Sequence, residues 1–263
     1  MTQPSGEAIL VTRDGAIATV TLNRPQKLNA LTKEMWRDLG VAVARLAADH
    51  ELRCIIVRGA GERAFSPGND IGEFARERSN KQQARNYGEF MHATARTLAA
   101  CPIPMVAQIH GICVGGGLEI AALCDLRICG ASSRFGAPIK NLGLVMAYAE
   151  MAPLVRLVGT DVALEILLEG RIFDAEEAKA KGIVTRVVPD ADVAAEVAAT
   201  AARIAEGAPL VARWHKKFAR RLAEPAPISD VEADECFDCF DTEDFRIGYA
   251  AFLAKQKPQF TGR

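Results

Sequence analysis

The chain has 263 residues, of which 49% are hydrophobic and 25% charged, values that exclude a disordered, collagen-like or low-complexity chain. One hydrophobic core stops growing at roughly 250 to 300 residues, so one large domain, or a domain with an appendage, is expected. With 32 Lys and Arg against 33 Asp and Glu the formal net charge is −1, which offers no global field for nucleic acid or an anionic membrane and leaves any anionic ligand to local groups.

Met1 to Glu7 lacks the basic and apolar regions of a signal peptide, and no stretch reads as a membrane span. The longest weakly polar run, Met105 to Leu126, is broken by Gln108, His110, four glycines, Glu119 and Asp125. A cytoplasmic protein is expected. Alternation from Ala8 to Leu22 around Asp14 and Gly15 predicts a hairpin. Thr32 caps a predicted amphipathic helix running to about Asp49, with Met35, Leu39, Ala42, Val43 and Leu46 on one face. Cys54 to Val57 is a continuous apolar run that suits a strand buried on both faces.

Pro67 and Gly68 break the chain, and the polar stretch Glu73 to Arg85 reads as a surface lid before a helix ending near Ala100. Met105 to Ile109 predicts a strand, Gly111 to Gly117 a glycine-rich loop, Leu118 to Leu123 a short helix, and Leu126 to Cys129 a strand. From Glu150 helical patterns dominate: Glu150–Val158, Val162–Leu168, Ala175–Lys181, Ala191–Glu206, Pro209–Leu222 and Val231–Lys255, with Ile183 to Val188 extended. An α/β core followed by a helical C-terminal region is therefore expected, and no internal repeat stands out.

Of seven cysteines, Cys54, Cys101, Cys113, Cys124 and Cys129 lie in apolar surroundings and read as core residues. Cys236 and Cys239 form a lone CxxC without a second pair or a nearby His, so no metal site is expected.

The sharpest chemical feature is Gly115-Gly116-Gly117-Leu118-Glu119, after a strand and at the start of an apolar helix. Glycines admit close backbone approach, and the first helical N–H groups favour negative charge. The loop lacks both the P-loop and the dinucleotide fingerprints, which leaves a developing oxyanion or a simple packing turn. Glu119 either caps its own helix or sits desolvated, where a raised pKa suits acid–base work. The Ala64–Ile71 segment also follows a buried strand and can bring the Asn69 N–H to the same ligand; two such donors form an oxyanion hole.

The Asn23–Leu31 string NRPQKLNAL, the segments AFSPGNDI, HGICVGGGLEIAALCD and FDAEEAKAKGIVTRVV, and FLAKQKPQF near the C-terminus together resemble the enoyl-CoA hydratase/isomerase (crotonase) family over essentially the whole chain. The resemblance implies a crotonase-like α/β spiral of ββα units over residues 1–200. It also implies a helical C-terminal trimerisation region over 201–263, assembled as a homotrimer or a dimer of trimers. It implies an acyl-CoA thioester as ligand, with coenzyme A part of the substrate and no tightly bound cofactor. By position, the N–H groups of Asn69 and Gly116 hold the thioester oxygen, Gln26, Lys27, Leu28 and Ala30 line the CoA groove, and Asp70 and Ile71 lie beside the pantetheine and adenine. Lys257, or Lys255, reaches a neighbouring subunit's CoA phosphates.

A hydratase of this family pairs two glutamates. Glu119 matches the first, but the position of the second is Ile139, and the acid position used by other members is Ala147. Glu150 or Tyr148 can fill the vacancy if the loop from Leu144 to Ala149 curls over the acyl site; otherwise they are a capping Glu and a packing Tyr. The reaction expected is hydration of a 2-enoyl-CoA to a 3-hydroxyacyl-CoA. An isomerase, decarboxylase or other enolate-forming enzyme and a non-catalytic acyl-CoA binder are the alternatives. A serine hydrolase finds no support, because Ser66 precedes a proline and His110 reads as structural.

Overall fold

The computed structural model describes residues 7–263, so the segment Met1 to Gly6, on which most of the leader reading rests, lies outside the described residues. Ten strands form two sheets. β1 (Ile9–Asp14), β2 (Ile17–Leu22), β3 (Cys54–Gly59), β5 (Met105–Ile109), β7 (Leu126–Gly130) and β10 (Arg186–Val188) make a six-stranded sheet in that order. β4 (Ala64–Ser66), β6 (Ile112–Val114), β8 (Arg134–Gly136) and β9 (Phe173–Asp174) make the smaller one. β1 and β2 are the expected hairpin, and β2, β3, β5, β7 and β10 then run parallel, with Ile17 opposite Cys54 and Ile55 opposite Met105.

The chain steps from one sheet to the other at β3–β4, β5–β6 and β7–β8, and this is the ββα spiral. Sequence pattern alone misses it because the second strand of each pair has three residues, too few to display a period of two. Part of the expected glycine loop, Ile112 to Val114, is thus strand β6.

The helices are α1 (Lys33–Ala47), α2 (Phe74–Glu77), α3 (Lys81–Ala100), α4 (Gly116–Leu123), α5 (Tyr148–Glu169), α6 (Ala175–Ala180), α7 (Val193–Glu206), α8 (Pro209–Leu222), α9 (Asp230–Asp234) and α10 (Glu243–Ala254). The two helices expected between Glu150 and Leu168 form one element kinked at Gly159. The single helix expected over Val231–Lys255 is instead α9, a 3-10 segment at Glu235–Asp241, and α10, which Thr242 caps by accepting the Phe245 N–H. Glu73–Arg85 is largely helical rather than a polar loop, and Glu73 is buried, accepting hydrogen bonds from the Lys33 N–H and the Tyr87 hydroxyl.

Alternation along β3 explains its unbroken apolar run. Ile55 and Val57 face the main core with α1 and α3, while Cys54 and Ile56 face a second core closed by Val193, Val197 and Ala201 of α7. The expected boundary at 200/201 falls inside this helix. Five cysteines are buried in these cores, and the Cys236 and Cys239 thiols each donate to a backbone carbonyl.

Asn29 ties the sequence-distinctive Asn23–Leu31 string to the sheets. In left-handed backbone at φ 64°, its amide donates to Ala60 O and Ala64 O, its side-chain oxygen accepts the Arg24 N–H, and its carbonyl accepts the Ser66 hydroxyl. Asn29→Ala orphans the buried Ala64 carbonyl and loses the three bonds of the side-chain amide, and chemical denaturation is expected to give a stability lower by about 2 to 4 kcal/mol.

Candidate active site

Two backbone turns meet beside α4. Leu31 donates its N–H to Gly68 O at 2.8 Å and accepts the Asp70 N–H at 2.8 Å. This parallel bridge pairs the peptides on both sides of Asn69 and turns the Asn69 N–H away from Leu31. Across from it, Gly115 donates to Gly136 O at 2.9 Å, which leaves the N–H of Gly116, the first residue of α4, pointing out of the helix end. Among the described residues neither the Asn69 nor the Gly116 N–H has an acceptor, and both residues line one cavity of about 380 Å³.

Only glycine permits this approach. Gly68 has φ 96°, and a Cβ there would lie 2.8 Å from Gly116 N; at Gly117 a Cβ would lie 2.2 Å from Ser66 O. Trp36 of α1 supports both turns: its indole N–H donates to Asn69 Oδ1 at 2.7 Å, and its ring lies beside Gly116.

Glu119, the fourth residue of α4, does not cap the helix. It is 4% exposed, and its Oε1 is the one buried side-chain polar atom without a hydrogen-bond partner among the described residues. Burial raises its pKa well above the ordinary carboxyl range, the nearby Glu150 charge raises it further, and Arg78 partly offsets both. Arg78 lines the cavity with its guanidinium over the rings of Phe74 and Tyr87, at 4.7 and 4.9 Å from their centroids.

Ile139 lines the same cavity, in the 3-10 turn Pro138–Leu142, so the expected second acid is replaced by an apolar wall. The loop meets the condition set for a substitute acid, with Leu144, Val145 and Met146 in the cavity lining. Tyr148 points elsewhere, 95% exposed. Glu150 combines the two readings offered for it: it lines the cavity, and its Oε2 accepts the Ala147 N–H at the start of α5. Its Oε1 faces Nε2 of His92 on α3 at 3.1 Å. Sequence reasoning missed His92, Arg78 and Trp36, since none belongs to a local motif and helical packing alone brings them here.

Of the expected groove residues, Ala30, Asp70 and Ile71 line the cavity, whereas Gln26 and Lys27 are exposed on the 3-10 turn Pro25–Lys27 and Leu28 caps it. Asp70 pairs with Arg24 at 3.0 Å. Burial acts to raise the Asp70 pKa, but hydrogen bonds from Arg24 and the Gly72 N–H outweigh it and hold the pKa below the ordinary range. Lys257 is not in this cavity; it pairs with Glu206 at 2.7 Å, and Lys255 ends α10. Ser66 Oγ is committed to Asn29 O and the Gly68 N–H, and His110 lies against Gln108, so the two do not form a nucleophile–base pair.

A two-sheet spiral that sets unpaired backbone donors beside a buried acid defines a class, and comparison with known proteins identifies it. The chain belongs to the enoyl-CoA hydratase/isomerase family, whose model matches residues 12–263, and it has the crotonase fold. It is 36% identical to a protein of Mycobacterium tuberculosis named probable enoyl-CoA hydratase, covering 98% of this chain and 99% of that one. It is 30% identical to the short-chain-enoyl-CoA hydratase of Clostridium acetobutylicum, covering 95% of each. A crystal structure of an enoyl-CoA hydratase/carnithine racemase from Magnetospirillum magneticum superposes with a TM-score of 0.96 at 53% identity, covering 98% of this chain and 97% of that one.

A carboxyl whose pKa is raised on folding favours the native state least once the pH exceeds its unfolded value of about 4.5, because the unfolded chain ionises first. Glu119→Gln removes this penalty. Calorimetry is expected to give the variant a higher Tm than the wild type near pH 7, with the gap closing as the pH falls to 4. Each unit by which the pKa is raised corresponds to about 1.4 kcal/mol.

Proposed function

We propose that this chain hydrates a 2-enoyl-CoA to a 3-hydroxyacyl-CoA, with the thioester oxygen held by the N–H groups of Asn69 and Gly116. The observation that carries the reading is Glu119 Oε1, a buried acid atom without a partner in the cavity lined by those two donors. When a nucleophile adds at Cβ, negative charge moves to the thioester oxygen. Two preorganised donors there stabilise it without reorganisation, and each is worth about 3 to 4 kcal/mol in the transition state. Glu119, whose protonated form burial favours, then gives its proton to Cα. The hydratase names of the relatives support the same reading.

Coenzyme A enters as part of the substrate, and no tightly bound cofactor takes part. Ala30, Asp70 and Ile71 flank the pantetheine, while Gln26, Lys27 and Leu28 form the outer groove. Lys27 there, and Lys257 from a neighbouring subunit, supply local positive charge for the phosphates of an otherwise neutral chain. Assembly as a trimer or a dimer of trimers is supported by exposed apolar side chains of the C-terminal region, Phe252 at 81% and Phe237 at 61% among them.

Ile139 favours a second reading, double-bond isomerisation or another enolate-forming reaction, since one acid and an oxyanion hole suffice when no water needs a second base. A purely binding role fits less well, because an unpaired buried acid costs stability that a binder has no use for.

The test is turnover of 2-enoyl, 3-enoyl and malonyl-type CoA thioesters by the wild type, Glu119→Gln and Gly68→Ala. Hydration is expected to be the fastest reaction, with kcat lowered about 10²- to 10⁴-fold by Glu119→Gln. Gly68→Ala, which sets a methyl group against Gly116 N, is expected to lower it about 10²- to 10³-fold. Hydration retained in Glu119→Gln rejects the assignment, and faster turnover of a 3-enoyl or malonyl-type thioester selects the second reading.

A further inference from the structure

Besides Glu119 and the Arg24-paired Asp70 the cavity is lined by a third carboxyl group, and its surroundings differ from those of Glu119. Glu150 enters from α5 with a side chain 13% exposed; its Oε2 accepts the Ala147 N–H at 3.2 Å, and its Oε1 lies 3.1 Å from His92 Nε2, which donates to it in the tautomer that carries the proton on Nε2. A carboxylate fixed by two donors cannot swing to solvent, so its negative charge stays directed at the cavity. Glu119 has an unpartnered oxygen instead, and its pKa is raised by burial and by the Glu150 charge, with Arg78 acting the other way. Paired carboxyl groups in unlike environments divide into an acid and a base.

We propose that Glu150, oriented by His92, is the base that activates water here, taking the place of the carboxylate that Ile139 lacks. This rests on the hydration reading above. The water oxygen forms its bond to Cβ while one water proton passes to Glu150 and the Cα=Cβ electron pair moves onto the thioester oxygen. The enolate then re-forms the carbonyl, and Cα takes the proton of Glu119. Glu150 is left protonated and Glu119 ionised, and a proton passing from one to the other through a water molecule restores both. Ile139 forms part of the apolar wall, and Asp70, the other carboxyl group of the lining, is tied to Arg24, which leaves Glu150 as the carboxylate for the water to approach. His92 is a positioning residue: it touches Glu150, and its proton is not transferred.

The test uses the full-length protein with crotonyl-CoA as substrate and butanoyl-CoA as a non-reacting ligand. Glu150→Gln keeps an oxygen for the Ala147 N–H and is expected to lower kcat for hydration about 100-fold or more. KM and the butanoyl-CoA Kd should stay within about threefold, the split expected of a group that acts on water rather than on binding. His92→Leu is expected to lower kcat about tenfold and His92→Gln, which retains an N–H donor, to recover most of that loss. The proposal is overturned if Glu150→Gln hydrates at the wild-type rate, if it loses butanoyl-CoA binding in proportion to kcat, or if His92→Gln is no better than His92→Leu. A wild-type protein that hydrates no 2-enoyl-CoA defeats the functional reading itself, and this inference with it.

Discussion

Everything at the site depends on two turns packed closer than any side chain allows. The Ser66–Asn69 segment lies on the Gly115–Gly117 turn, so a Cβ at Gly117 would sit 2.2 Å from Ser66 O and one at Gly68 2.8 Å from Gly116 N. This approach sets the backbones of Asn69 and Gly116 on one cavity, and the surrounding fold locks it in place. Leu31 clamps the peptides flanking Asn69, Gly136 takes the Gly115 N–H, and Trp36 supports both turns from α1. The Asn23–Leu31 string contributes indirectly, since Asn29 anchors β4 through Ala64 and, through Ser66, the start of the Pro67–Asn69 turn. The spiral supplies the geometry, because a βαβ repeat with one strand per turn would have no second sheet to carry β4 and β6 into contact.

Around that cradle the electrostatics are uneven in a useful way. Glu119 is deprived of hydrogen-bond donors and desolvated, which favours its neutral, proton-bearing form. Glu150 is supplied with two donors, and Arg78 is held over two aromatic rings at the cavity edge. A site that places one carboxyl group against apolar surroundings and another against N–H donors can run acid and base chemistry at one pH.

Much of this was legible in the residues. The glycine run, Glu119, the Pro67–Asn69 break and the two-faced strand at Cys54–Val57 all have local signatures, and the family resemblance pointed to Asn69 and Gly116, which line one cavity. The alternation between two sheets had no such signature, because β4, β6 and β8 are three residues long. The C-terminal helices were overextended for a similar reason: the apolar pattern continues through Glu235–Asp241 although the backbone there tightens to 3-10 geometry before Thr242 restarts the helix. His92, Arg78 and Trp36 were illegible in principle. His92 and Trp36 lie on helices whose own periodicity says only which face is buried, and Arg78 follows the four-residue α2, too short to show any period; it takes the packing of α3 on α5, or of α1 on the Gly115–Gly117 turn, to make them part of a site.

The central claim is that the thioester oxygen sits between the Asn69 and Gly116 N–H groups with Glu119 addressing Cα. A crystal structure with butanoyl-CoA bound tests it directly. The thioester oxygen is expected at about 2.7 to 3.1 Å from both nitrogens, with the Glu119 carboxyl group within hydrogen-bond reach of the position where a Cα proton is delivered. A thioester bound with its oxygen away from these two nitrogens, or with Cα turned from Glu119, contradicts it.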